Sequence, residues 1–96
     1  MSGFKLSEEA RQDLFDIWKY IALDSLDAAD KVREDFYEAI HLLVDMPEIG
    51  HIREDLADTS LRFWRVHSYL IAYHPDTQPL EIVRILSGYR DMTRLL

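Results

Sequence analysis

The sequence predicts an α+β domain: an N-terminal helical hairpin packed on a small antiparallel sheet. Three observations carry this. Apolar residues recur at three- and four-residue steps through two stretches of the first half. After Leu61 the period changes to short runs rich in aromatic and β-branched residues, separated by turn signals. The order is a short strand, two helices and then strands, which segregates helices from sheet rather than alternating them.

Phe4, Lys5 and Leu6 form a short terminal or edge strand. Ser7 follows as an N-cap, with Glu8 and Glu9 where the helix dipole favours acids. Ala10, Leu14, Ile17, Trp18 and Ile21 then mark one face of a helix from Glu8 to about Leu23. Asp24, Ser25 and Asp27 break the pattern, and Asp27 is the expected cap of a second helix with Asp30 in its first turn. Ala29, Val32, Phe36, Ile40 and Leu43 mark its apolar stripe, and Pro47 and Gly50 end it. His51 to Ser60 is an irregular loop. Leu61 to His67, Tyr69 to His74 and Leu80 to Leu86 are three strands of an antiparallel meander, with a bend at Ser68 and a turn at Pro75 to Pro79. Gly88 ends the sheet, and Tyr89 to Leu96 is a tail with a helical tendency. The helices are expected on one face of the sheet, leaving the other for exposed function, and Trp18, Phe36 and Phe63 are assigned to the core.

The chain has 96 residues, which fits one domain with one modest core. No apolar run approaches the roughly 18 residues of a membrane-spanning helix. The opening residues show no secretory h-region, so a reducing cytoplasm is the expected compartment. There is no cysteine, which removes disulfides, thiolate metal sites and a cysteine nucleophile together. The formal charge is −7, from 11 Lys+Arg against 18 Asp+Glu. Residues 1–60 hold 6 basic and 15 acidic residues, a balance of −9; residues 61–96 hold 5 and 3, a balance of +2. An acidic chain is a poor nonspecific nucleic-acid binder, because phosphate contacts need a basic field. All the basic residues of the second half are arginines (Arg62, Arg65, Arg84, Arg90 and Arg94), whose planar forks suit carboxylate or phosphate.

Candidate chemistry is sparse. Gly3, Gly50 and Gly88 lie far apart, so there is no glycine-rich phosphate loop. His41, His51, His67 and His74 show no metal-ligand spacing, and neither a metal nor a cofactor is expected. Asp13 with Asp16, and Asp30 with Glu34, share helical faces, which reads as a solvated surface. A metal-free ribonuclease would need a base, an acid and a cationic clamp. Arg62, Arg65, His67 and Arg90 are the residues for it. Strand alternation places Arg65 and His67 on one face and Arg62, Trp64 and Val66 on the other, so no single face collects the set.

Four strings carry a family resemblance: FKLSEEARQDLFDIWKYIA, LLVDMPEIGHIREDL, LRFWRVHSYLIAYHP and LEIVRILSGYRDMTRLL. In this order they span nearly the whole chain, which resembles the ParE branch of the RelE/ParE superfamily of bacterial toxins. The resemblance implies the same helical hairpin on a small sheet. It implies the toxin of a type II toxin–antitoxin system that poisons DNA gyrase by binding, without cutting anything itself. It further implies neutralisation by a ParD-like antitoxin that wraps over it in a toxin–antitoxin hetero-oligomer. No membrane association and no direct sequence-specific binding of nucleic acid are implied.

The RelE branch shares the fold but cleaves mRNA on the ribosome with basic strand residues and an Arg and Tyr near the C-terminus. That is the alternative reading. Here no Tyr follows Arg90, and the loop before the first long strand holds Arg53 but no Lys. Ser87 stands before Gly88, where the ParE pattern often has His. A third reading is a non-toxic member kept as a binding protein. Matched to the family pattern, Arg62, Arg84, Arg90 and Asp91 occupy its recurrent positions. The resemblance points to the tail, with Tyr89, Arg90, Asp91 and Arg94, for target binding. It points to Trp18, Tyr37, Arg62, Trp64 and Arg84, with Tyr20 as a further aromatic candidate, for the antitoxin.

Overall fold

The computed structural model describes residues 3–53 and 60–87. The elements in chain order are β1 (Phe4–Leu6), α1 (Glu8–Ala22), α2 (Leu26–Asp45), a 3₁₀ turn (Pro47–Ile49), β2 (Arg62–Val66), β3 (Tyr69–His74) and β4 (Leu80–Ser87). The expected loop is described only at its ends, because residues 54–59 fall outside the described set. The expected tail, Tyr89 to Leu96, lies wholly outside it.

Ser7 caps α1 as expected: its Oγ accepts from Ala10 N at 2.9 Å. The second cap differs from the expectation. Ser25, not Asp27, holds extended backbone and accepts from Ala28 N at 3.1 Å, so α2 starts at Leu26 and Asp27 sits in its first turn. Both residue types favour the cap position, and only the backbone angles decide which takes it. After Asp45 the chain tightens into one 3₁₀ turn led by Pro47, whose missing N–H is harmless at a helix start.

The sheet order is β1-β4-β3-β2. β2, β3 and β4 form the antiparallel meander, while β1 pairs parallel with β4, Phe4 opposite Leu80. The sheet is therefore mixed rather than wholly antiparallel. The long connection that a parallel pair requires is supplied here by the helical hairpin followed by β2 and β3. Register shifts between Ala72 and Tyr73, which face Arg84 and Ile82 respectively, so Val83 is the extra residue of β4.

Both helices cover one face. Ala10, Leu14, Phe36, Ile40 and Leu43 pack there with Val66, Ile71, Tyr73, Leu80, Ile82 and Ile85. The opposite face is not the open surface that the sequence suggested. Leu61, Phe63, Ala72 and Leu86 form a second buried cluster, each at 3% exposure or less. Phe36 and Phe63 are core as expected, but in different clusters. Trp18 is only half-buried.

Candidate functional site

Arg84 is committed to the fold. Its Nε and Nη2 donate to the Asp13 carboxylate at 2.7 and 3.0 Å, and the same carboxylate accepts Ile85 N at 2.9 Å. β1 covers β4 only as far as Ile82. Beyond it, Ser7 Oγ donates to Val83 O at 2.7 Å and Asp13 takes the next outward N–H, so α1 finishes the sheet edge that β1 leaves open. Asp13 thus has a structural duty that helical periodicity alone assigned to a solvated face.

Arg62 is also engaged within the fold. Its Nη1 donates to Glu48 O and Gly50 O at 3.1 and 2.9 Å, and its Nη2 to Glu48 Oε1 at 3.2 Å. The same turn is tied from beneath by Tyr73. This fully buried phenol donates to Pro47 O at 2.7 Å and accepts from Gly50 N at 2.9 Å. Burial, partly offset by the Gly50 N–H, raises the Tyr73 pKa above the usual phenol value.

The aromatic candidates do not meet at one surface. Trp18 Nε1 donates to Asp30 Oδ1 at 2.9 Å and links the two helices. Tyr37 lies against Phe4, ring centroids 5.9 Å apart, and His41 meets Phe4 edge-on at 5.6 Å. Trp64 is half-buried on the helix face of β2, stacked on His51 at 6.1 Å. The target-binding candidates Tyr89, Arg90, Asp91 and Arg94 lie outside the described residues.

The ribonuclease candidates among the described residues, Arg62, Arg65 and His67, are dispersed, and Arg90 lies outside the described set. β2 ends at Val66, and His67 turns into left-handed backbone at φ 57°, so it does not continue the face of Arg65 as an unbroken strand would. Its Nε2 instead lies 2.7 Å from Asp35 Oδ2 on α2. Lys31 Nζ donates to the other Asp35 oxygen at 2.6 Å. The bond from Lys31, and then that from His67, holds the Asp35 carboxyl below its ordinary pKa. Arg65 Nε donates to His67 O at 2.8 Å. Arg62 sits at the other end of the strand. Among the described residues no cluster of three or more metal-ligating side chains occurs. A surface depression is lined by Gly3, Val44, Pro47 and the turn Pro75 to Leu80. Its one hydroxyl, on Thr77, accepts from Glu81 N at 2.9 Å.

What the structure adds is exposed apolar surface in two places. Phe15, Tyr20, Leu23 and Leu26 stand out at the hairpin end, with exposures of 53 to 81%. Leu42 and Met46 stand out at the C-terminal end of α2, and Ile52 next to His51, which bridges to Phe63 of β2. Tyr20 alone of these was anticipated. Phe15, Leu23 and Leu42 lie off the regular apolar stripes, which was the available signal.

A helical hairpin on one face of a mixed sheet, in which β1 lies parallel to β4 beside a three-stranded meander, defines the architecture, with no gathered catalytic set among the described residues. A family profile described as "ParE toxin of type II toxin-antitoxin system, parDE" matches residues 4–92. The chain belongs to that family of toxins. Among solved structures, a chain of the chromosomal ParDE toxin–antitoxin system from P. aeruginosa shares the fold at a TM-score of 0.74 and 21% identity, over 93% of this chain and 98% of that one. No curated protein matches the sequence. Among the described residues no helix is long and apolar enough to cross a membrane.

Proposed function

We propose that this toxin acts in the cytoplasm by inhibiting DNA gyrase through binding, and that a ParD-like antitoxin neutralises it. The observation that carries this is the family match over residues 4–92, almost the entire chain. The charge of −7 supports a protein target over ribosomal RNA. The placement of the ribonuclease candidates weighs against the mRNA endonuclease alternative. Arg62 is occupied by Glu48 and Gly50 at one end of β2, while His67 is held by Asp35 at the other. Expression in bacteria without and with the protein of the adjacent reading frame tests the reading. Growth arrest with a DNA-damage response and intact mRNA, relieved by the second protein, is expected. Rapid cleavage of translated mRNA would overturn the gyrase reading, and unimpaired growth would favour the non-toxic alternative.

A further inference from the structure

The turn between β2 and β3 is fastened to α2 by one side chain. Val66 and Tyr69 close the hairpin, so His67 and Ser68 alone connect the strands. So short a connection needs left-handed backbone at its first position, where glycine and asparagine are the easy occupants. His67 takes that position with φ 57°. A residue with a Cβ persists in such backbone only where its surroundings fix it. Two bonds do so here. The His67 carbonyl accepts from Arg65 Nε at 2.8 Å, and the ring Nε2 lies 2.7 Å from Asp35 Oδ2 on α2.

The charges around this ring are few among the described residues. From α2 come Asp35 and Lys31, whose Nζ donates to the second Asp35 oxygen, with Glu34 and Glu38 acting on Lys31 in turn. From β2 comes Arg65. From β3 comes Tyr69, packed on Phe36 with ring centroids 5.6 Å apart, and Tyr20 of α1 acts on Tyr69. Asp35 is thus the group the ring meets directly. Its side chain is 20% exposed and that of His67 49%. The bonds from Lys31 and His67 hold the Asp35 carboxyl below its ordinary range, so it stays charged in weak acid. Against a fixed carboxylate, an imidazolium makes a charge-assisted bond and a neutral imidazole an ordinary one.

We propose that His67 is a proton-operated clasp: the charged ring, bonded to Asp35, closes the β2–β3 turn onto α2, and the neutral ring loosens it. The clasp also sets Arg65, which is bonded to the His67 carbonyl at the end of the edge strand. It stands whatever the toxin acts on.

The test is a double-mutant cycle in the full-length protein, with His67→Asn, Asp35→Asn and the pair, unfolded by urea at about pH 5.5 and about pH 8.5, on either side of the ordinary imidazole range. Asparagine adopts left-handed backbone readily, so His67→Asn keeps the turn and removes the titrating ring. The cycle cancels the other histidines and the loss of Lys31 from Asp35. At the lower pH the coupling should change the unfolding constant about fivefold, a value tempered by the exposure of the ring, and at the higher pH about twofold at most. Hydrogen exchange of the wild type gives a second readout that needs no variant. The Val66 and Tyr69 amides, corrected for intrinsic rates, should be about threefold or more better protected at the lower pH. Coupling of equal size at both pH values, no coupling at either, or turn protection that does not change with pH would each overturn the clasp.

Discussion

Removing one oxygen from Tyr73 should cost a large part of the stability of the domain. The Tyr73 side chain is fully buried, and its hydroxyl joins two backbone groups of the turn after α2: it donates to Pro47 O and accepts from Gly50 N. Tyr73→Phe keeps the ring within the core cluster under the helices, but strands one N–H and one C=O. An unmatched buried polar group costs about 1–3 kcal/mol, and Pro47, being half-buried, recovers part of its loss from water. The sum is about 2 kcal/mol. For a domain of 96 residues that lowers Tm by about 8–16 °C. Urea unfolding followed by circular dichroism should show an earlier midpoint at unchanged slope, since little surface changes. A loss below about 0.5 kcal/mol would refute the reasoning, because the two backbone groups would then have other partners.

Further consequences follow from neighbouring contacts. Gly50→Ala should destabilise by about 2 kcal/mol or more in the same urea assay, because an added Cβ would lie 2.8 Å from Tyr73 Cε1 and Cζ, too close for a buried ring to yield. Asp13→Ala should lose about 2–3 kcal/mol, since it strips the charge-assisted partner of Arg84 and the acceptor of Ile85 N together. Burial raises the pKa values of both Tyr69 and Tyr73. Their contribution is therefore intact below pH about 10, the unfolded value, and disappears as pH rises through the higher folded values. Alkaline unfolding should flatten in the Tyr69→Phe/Tyr73→Phe double variant. Asp35 titrates the other way. Its depressed pKa gives stability that is present above its unfolded value of 3.8 and lost as pH falls through the folded one, so Asp35→Asn should soften the acid limb.

The helices were legible because their apolar stripes face one core, and their ends shifted by at most a few residues. The meander was legible because turn residues separate the three strands. The parallel pairing of β1 was not, because strand direction depends on where the hairpin returns the chain, and a three-residue strand carries no pattern for it. The burial of the second sheet face was hidden for a related reason: Phe63, Ala72 and Leu86 come together only through strand register. Ion-pair partners were the least legible. Asp13 and Arg84 are 71 residues apart, and nothing local distinguishes Asp13 from Asp16. The candidates Arg62 and Arg84 were found by family pattern, and the structure gives each a partner inside the fold. The exposed apolar residues Leu42 and Met46 were missed, since such residues on a helix resemble an imperfect stripe.

The measurement closest to the central claim is gyrase activity with the purified toxin, following supercoiling and the accumulation of cleaved DNA. The account predicts that the toxin stops supercoiling and traps cleaved DNA, and that the antitoxin reverses both. Undiminished supercoiling by gyrase, at toxin concentrations that still bind the antitoxin, would contradict it.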